Sequence, residues 1–304
     1  MKKNITKLLK FTIIALIFIF ILLFIKDHVH ELDKTPITFH PGYLIASIAF
    51  NIIFLLNLSF IWTYITKING CALNTFKSSI YWMLSEVGKY IPSKIFLFAG
   101  RLYFYHQEGK SKMAMTFSFY LEVVCSLLAA MFIFLASILS IPCALLAPYK
   151  PCIIPFLVLL IVSLHPKFVN RIINLMLKIF RKAPSQFSIR YRDILKIVTL
   201  YILNYYMLGL SFYLLIRSFY SISLEHIFYL TGANAVAGII GILSLFAPSG
   251  LGVREGILIL TLRVIMPNAM AGIVALIARI WASGIELFLA LAAFILAKRR
   301  GVKI

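Results

Sequence analysis

The chain is 304 residues long, 62% hydrophobic and only 13% charged, with a mean hydropathy of +0.97 and a net charge of +20. Soluble domains carry roughly 25% charged residues, so this composition excludes a water-soluble enzyme. The basic residues lie in short connections and at both termini, which excludes a nucleic-acid-binding face and fits Lys and Arg retained on the cytoplasmic side of a membrane. The expected fold is all-α: a polytopic helical membrane protein of about eight spans with two broken or re-entrant helical segments, residues 1–304 forming a single integral membrane domain.

In chain order, Lys2, Lys3, Lys7 and Lys10 precede an apolar run over 11–25 that ends in Ile25-Lys26-Asp27-His28. A cleaved signal peptide would end in small residues, so the run reads as an uncleaved first span. Further spans are expected over 43–65, 113–140, 153–164, 194–216, 227–246, 257–266 and 270–297, since about 20 residues cross the hydrocarbon core. Those over 153–164 and 257–266 are short and must tilt or bury themselves among neighbours. Eight spans put both termini on one side. The connections on that side carry Lys67, Lys77, Lys110, Lys112, the basic stretch 167–196 and Lys298-Arg299-Arg300. The opposite loops hold Lys26 and Lys34 beside acids, then Lys150 and Arg217. The expected location is a multi-pass protein of the plasma (inner) membrane with cytoplasmic termini.

Over 167–182, Lys167, Asn170, Arg171, Asn174, Lys178, Arg181 and Lys182 share one helical face. This reads as an interfacial basic helix, an anchor available to anionic headgroups. Cys71 and Cys125 read as small packing residues, and Cys143 and Cys152 flank a loop where a disulfide is conceivable. None of the four cysteines has metal-ligand spacing, so neither a metal nor a cofactor is expected.

Two polar insertions interrupt the hydrocarbon pattern, over 78–101 and 232–256. The first contains Glu86-Val87-Gly88-Lys89-Tyr90-Ile91-Pro92-Ser93-Lys94 and runs on to Gly100-Arg101. Gly88 and Pro92 break any continuous helix, and a half-helix is expected to start at Pro92 and run past Arg101. Lys94 and Arg101 would share a face, and Glu86 and Lys89 can pair. The second contains Pro248-Ser249-Gly250-Leu251-Gly252-Val253-Arg254-Glu255-Gly256, within a stretch holding six glycines. A half-helix beginning there would carry Arg254 and Glu255 in its first turn, and open N–H groups at its start would favour an anion such as phosphate.

Charges at membrane depth usually line a polar cavity. The expected headgroup and phosphate ligands are Lys89, Lys94, Arg101, Ser249, Gly250, Gly252, Arg254 and Arg279, with Arg101, Arg254 and Arg279 gathered around one phosphate. Glu86, Glu122, Glu255 and Glu286 are the candidate proton carriers or charge partners. Arg279 and Glu286, seven apart on one face, should point inward; internal pairing that only holds the bundle together is the alternative.

Together, Gly88-Lys89-Tyr90-Ile91-Pro92-Ser93-Lys94, Gly100-Arg101 and the 248–256 motif resemble the flippase-like membrane domain family, named after the transmembrane region of bifunctional lysylphosphatidylglycerol synthase. The resemblance covers nearly the whole chain; the family more often has Gly where this chain has Ser93 and Ser249. It implies lipid translocation without synthase chemistry, because no soluble synthase domain is expected in a chain ending at Ile304. The expected activity is therefore non-enzymatic: a flippase or transporter of an anionic or phosphate-bearing lipid, of the aminoacylated phospholipid or polyprenyl-phosphate type. Its partners would be the membrane lipid substrate and anionic headgroups at the cytoplasmic surface, with no nucleic acid; a homo-oligomer is left open. No nucleotide-binding Gly-x-x-x-x-Gly-Lys-Ser motif is present, so the driving force would be an ion gradient, membrane potential or lipid gradient. The alternatives are a membrane-embedded transferase acting on a lipid-linked substrate, or a non-transporting scaffold of a cell-envelope lipid or glycan pathway. The apolar segments offer no Asp for a metal or acid–base pair, and a scaffold leaves the arginines unexplained.

Overall fold

The computed structural model describes residues 38–91, 95–140, 190–244 and 250–302, with single positions between 151 and 171. Every regular element among the described residues is helical: α1 (Pro41–Ile68), α2 (Thr75–Glu86), a 3-10 turn (Val87–Tyr90), α3 (Ile95–Gln107), α4 (Lys112–Leu139), α5 (Tyr191–Arg217), a second 3-10 turn (Leu224–His226), α6 (Ile227–Leu243), α7 (Val253–Leu262) and α8 (Asn268–Arg299). Local chemistry sets several boundaries. Pro41 opens α1, where a missing N–H costs nothing, and Gly70 follows its end at φ +73°. The Asn74 side chain accepts the Phe76 N–H at 2.9 Å and so caps α2.

Five helices are long and apolar enough to cross a membrane among the described residues: α1, α4, α5, α8, and α6 together with the 3-10 turn before it. These correspond to the expected spans over 43–65, 113–140, 194–216, 270–297 and 227–246. The expected span over 11–25 lies outside the described residues. So, apart from single positions, do the span over 153–164, the basic helix over 167–182, and Cys143 with Cys152. Cys71 and Cys125 are buried and free, as packing residues should be, and burial pushes the Cys71 thiol up from its ordinary value.

The seventh expected span is corrected. Helix α7 has only ten residues, about 15 Å of rise against a core of about 30 Å, so it is a half-helix. It runs antiparallel to α6: the Tyr229 hydroxyl donates to the Thr261 carbonyl at 2.8 Å, and further in Arg254 meets Asn234. At the tip Gly250, at φ +70°, lies so close on Gly241 that a Cβ would sit 2.6 Å from its Cα. Only glycine fits both the torsion and the contact.

The first insertion folds back in the same way. Lys77 meets Glu108 at 2.9 Å, Tyr81 stacks on Phe104 with centroids 4.8 Å apart, and Ser85 meets Arg101. The 3-10 turn closes on α3 at Gly88, where a Cβ would stand 2.4 Å from the Leu97 nitrogen. Helices α2 and α3 are therefore the arms of an antiparallel hairpin, each 12 or 13 residues long and too short to cross.

These hairpins enter from opposite ends of the bundle. At one end Asn69 bonds Ser118 at 2.9 Å, Lys196 lies over the Tyr64 ring and Arg300 over Phe76. That gathers the α1 and α8 C-termini, the α4 and α5 N-termini and the open end of the α2–α3 hairpin. At the other end His40 N–H donates to the Ser218 carbonyl at 2.7 Å, and Arg263 meets Asn268 beside the open end of the α6–α7 hairpin. The core between these ends includes fully buried Trp62, Tyr81, Tyr105, Tyr201 and Phe212.

Candidate functional site

Four acids and four bases at membrane depth form a connected array along α8. Its first part is a ladder of ion pairs. Arg101, on α3, is buried at 2% exposure. Its Nε donates to the Ser85 hydroxyl at 2.9 Å, its Nη1 to Glu122 and its Nη2 to Glu86, while its guanidinium lies 4.6 Å from the Trp62 ring centroid and 5.3 Å from that of Trp82. The Trp82 indole N–H donates to the other Glu122 oxygen at 3.0 Å. The second Glu86 oxygen pairs with Lys89 at 3.0 Å, and Lys89 also pairs with Glu286 of α8 at 2.9 Å. The Tyr90 hydroxyl completes the ladder by donating to Glu286 at 2.5 Å. A guanidinium wholly desolvated like that of Arg101 survives only with such complete pairing.

The second part surrounds the α7 start. Gly252, at φ +82°, turns the chain into the helix, and its N–H donates to Glu255 at 2.6 Å. Glu255 is itself 2% exposed and lies 3.6 Å from Arg279 of α8, an ion pair longer than a hydrogen bond. Arg254 Nη2 reaches Asn234 of α6 at 3.4 Å. Arg254 adjoins Glu255 in the first turn of α7, and through the Glu255–Arg279 pair that turn meets α8 two turns from Glu286. Among the described residues, Arg254 Nε, Asn234 Nδ2 and Glu255 Oε1 are buried without a hydrogen bond. Unpaired buried polar atoms are expensive; Glu255 Oε1 keeps its ion pair with Arg279, whereas Arg254 Nε and Asn234 Nδ2 have no such compensation among the described residues.

Helix α8 joins the two insertions. Arg279 and Glu286 lie two turns apart on one face, the first against the α7 start and the second against the tip of the α2–α3 hairpin. The expected Glu86–Lys89 pair is present, and the charge on the Arg279–Glu286 face is internal. Two expectations change. Arg101 is separated from any shared phosphate by its own partners Glu86, Glu122 and Ser85, leaving Arg254 and Arg279 in the second cluster. The α7 start is not open to an outside anion in the expected way, because Glu255 occupies the Gly252 N–H. Lys94 and Ser249 lie outside the described residues, as do Pro92 and Pro248. Asn234, Tyr90, Ser85 and Trp82 escaped the sequence reading. An amide inside the Gly-rich apolar run of α6 was the one available signal for Asn234.

The lysylphosphatidylglycerol synthase TM region family model matches residues 7–290. No curated protein matches the sequence. The match spans both hairpins and α8 as far as Glu286, so the buried charge array lies inside the matched region. A multi-pass bundle with two hairpins dipping toward one charged helix, covered almost end to end by this match, belongs to the lysylphosphatidylglycerol synthase transmembrane region family.

Proposed function

We propose that this chain carries an anionic or phosphate-bearing lipid between membrane leaflets, and that Arg254 receives the phosphate. One observation supports the reading: two broken-helix hairpins from opposite ends meet on α8, and there the buried Nε of half-buried Arg254 has no hydrogen-bond partner. Lipid tails can stay in hydrocarbon while the headgroup crosses, so the protein need only replace water around the phosphate. Arg254 and Asn234 offer N–H donors for this, with Arg279 adding positive charge and Gly250 and Gly252 letting the backbone come close.

The described conformation is closed. The cleft lined by Leu55, Trp82, Met83, Glu86, Glu286 and Leu289 has room for roughly one water molecule. Headgroup entry therefore requires the α2–α3 hairpin and α8 to part, as in the rocking of broken-helix transporters. We further infer that the end bearing Lys67, Lys77, Lys110, Lys112, Arg190, Arg192, Lys196 and Lys298-Arg299-Arg300 faces the cytoplasm of an inner membrane. The opposite end has Arg217 and Arg263 among its described residues.

This reading makes the chain a carrier and not an enzyme. Purified protein in vesicles should speed the exchange of fluorescent phosphatidylglycerol between leaflets, followed by quenching the outer label. Equal rates with and without protein would remove the proposal. A new lipid species formed from radiolabelled substrate in detergent would favour a membrane-embedded transferase instead.

A further inference from the structure

The eight charged side chains of the array balance: Glu86, Glu122, Glu255 and Glu286 against Lys89, Arg101, Arg254 and Arg279. A monoanionic headgroup entering this set would leave one uncompensated negative charge away from water, so the anion must enter with a cation. The acids differ in how firmly they are held. Glu122 has Arg101 and the Trp82 indole, Glu86 has direct contacts to both Arg101 and Lys89, and Glu255 has the Gly252 N–H and Arg279.

Glu286 is placed differently. Its contacting cation is Lys89, and Arg254, the group assigned to the incoming phosphate, stands next to Glu255, whose partner Arg279 lies two turns from Glu286 on the same helix. From the 3-10 turn it is faced by Lys89 and Tyr90, from α7 by Arg254, and from α2 by Glu86, which shares the cleft. Helix α1 brings the apolar Leu55 to the same cleft, and on α8 itself Arg279 and Ser283 lie nearby in sequence. Helix α5 also touches α8 but brings no ionisable group to Glu286 among the described residues. An anion on Arg254 would therefore weaken the cationic surroundings of Glu286, a carboxylate that lines the cleft and whose contacting cation is Lys89. The contacts that fasten the first hairpin's tip to α8 also end on Glu286, from Lys89 and Tyr90.

We propose that Glu286 takes up one proton for each monoanionic headgroup that enters at Arg254, and that this protonation releases Lys89 and Tyr90 and parts the hairpin from α8. The inference rests on the translocation reading above and adds its energy source and its latch. One proton with one monoanion is an electroneutral load. A pH difference of one unit then poises the lipid about tenfold toward the leaflet facing the more alkaline side, and a membrane potential alone does not move it.

The test uses the full chain in phosphatidylcholine vesicles containing labelled phosphatidylglycerol, with a pH-sensitive dye inside. A one-unit pH step should shift the label about tenfold and move protons with it, and a potassium diffusion potential without a pH step should leave the label where it was. Glu286→Gln should abolish the response to the pH step. Should that variant fail to fold, Tyr90→Phe removes one hydrogen bond to Glu286, keeps every charge, and should displace the pH of half-maximal exchange. Lipid exchange without proton movement, a shift driven by potential alone, a pH response surviving in Glu286→Gln, or a wild-type pH profile in Tyr90→Phe would each overturn the coupling while leaving translocation standing. No exchange by the wild type at any pH would overturn both.

Discussion

Arg101→Met is expected to lower the stability of the folded protein by about 3–5 kcal/mol, because it takes the guanidinium partner from two largely buried carboxylates at once. The guanidinium is the only described partner of one Glu86 oxygen and of one Glu122 oxygen, and it also holds the Ser85 hydroxyl and lies against Trp62 and Trp82. Methionine fills much of the volume but supplies none of the charge. Thermal unfolding in detergent, followed by tryptophan fluorescence, should show a large fall in Tm. The double variant Arg101→Met with Glu122→Gln should regain part of the loss, since one stranded charge is gone and the amide can still accept the Trp82 N–H. A single-variant loss below about 1 kcal/mol, the size of an exposed pair, would mean that Arg101 is solvated in the membrane-embedded protein.

Arg254→Ala is expected to have the opposite profile: leaflet exchange falls about 30- to 150-fold, while stability falls by less than about 2 kcal/mol, the acid left in excess taking up a proton. The first figure corresponds to a charge-assisted interaction with phosphate of about 2–3 kcal/mol. The second follows from how little holds Arg254 in the closed state, a 3.4 Å contact to Asn234 and an Nε without a partner. Its Cβ, which packs on Gly241, survives the substitution. Matched amounts of folded protein, checked by size exclusion before reconstitution, make the exchange rate readable. A variant that exchanges lipid at the wild-type rate would move the phosphate site away from α7.

The contrast between these two arginines was not legible in the chain. Both sit beside glycines in polar insertions, and both look equally suited to a phosphate. What separates them is Glu122, on another helix 21 residues beyond Arg101, and no local spacing rule connects the two. The Glu86–Lys89 pair was legible because it is a three-residue contact within one turn. Likewise the long helices α1, α4, α5 and α8 follow directly from long, predominantly apolar runs, and Gly88 announced the break over Val87–Tyr90. The run over 257–266 misled because a half-helix buried in a bundle is as apolar as part of a true span. Only the pairing of Tyr229 with Thr261 shows that α7 turns back. Helix α8 as the meeting place of both hairpins is a tertiary fact, visible once Lys89 and Glu255 are seen to meet Glu286 and Arg279, two turns apart on its face.

In the proposed cycle a lipid headgroup passes between the hairpin tips and α8. The most direct test is photo-crosslinking in vesicles with a phosphatidylglycerol that carries a photoreactive group beside its phosphate, mapped by mass spectrometry. Adducts should fall on the segments around Asn234, Gly250 to Arg254 and Glu286, and should drop sharply in Arg254→Ala. Adducts confined to outward side chains such as Leu203, Leu260, Ile280 and Phe288, unchanged by that substitution, would show lipid bathing the bundle instead of crossing through it.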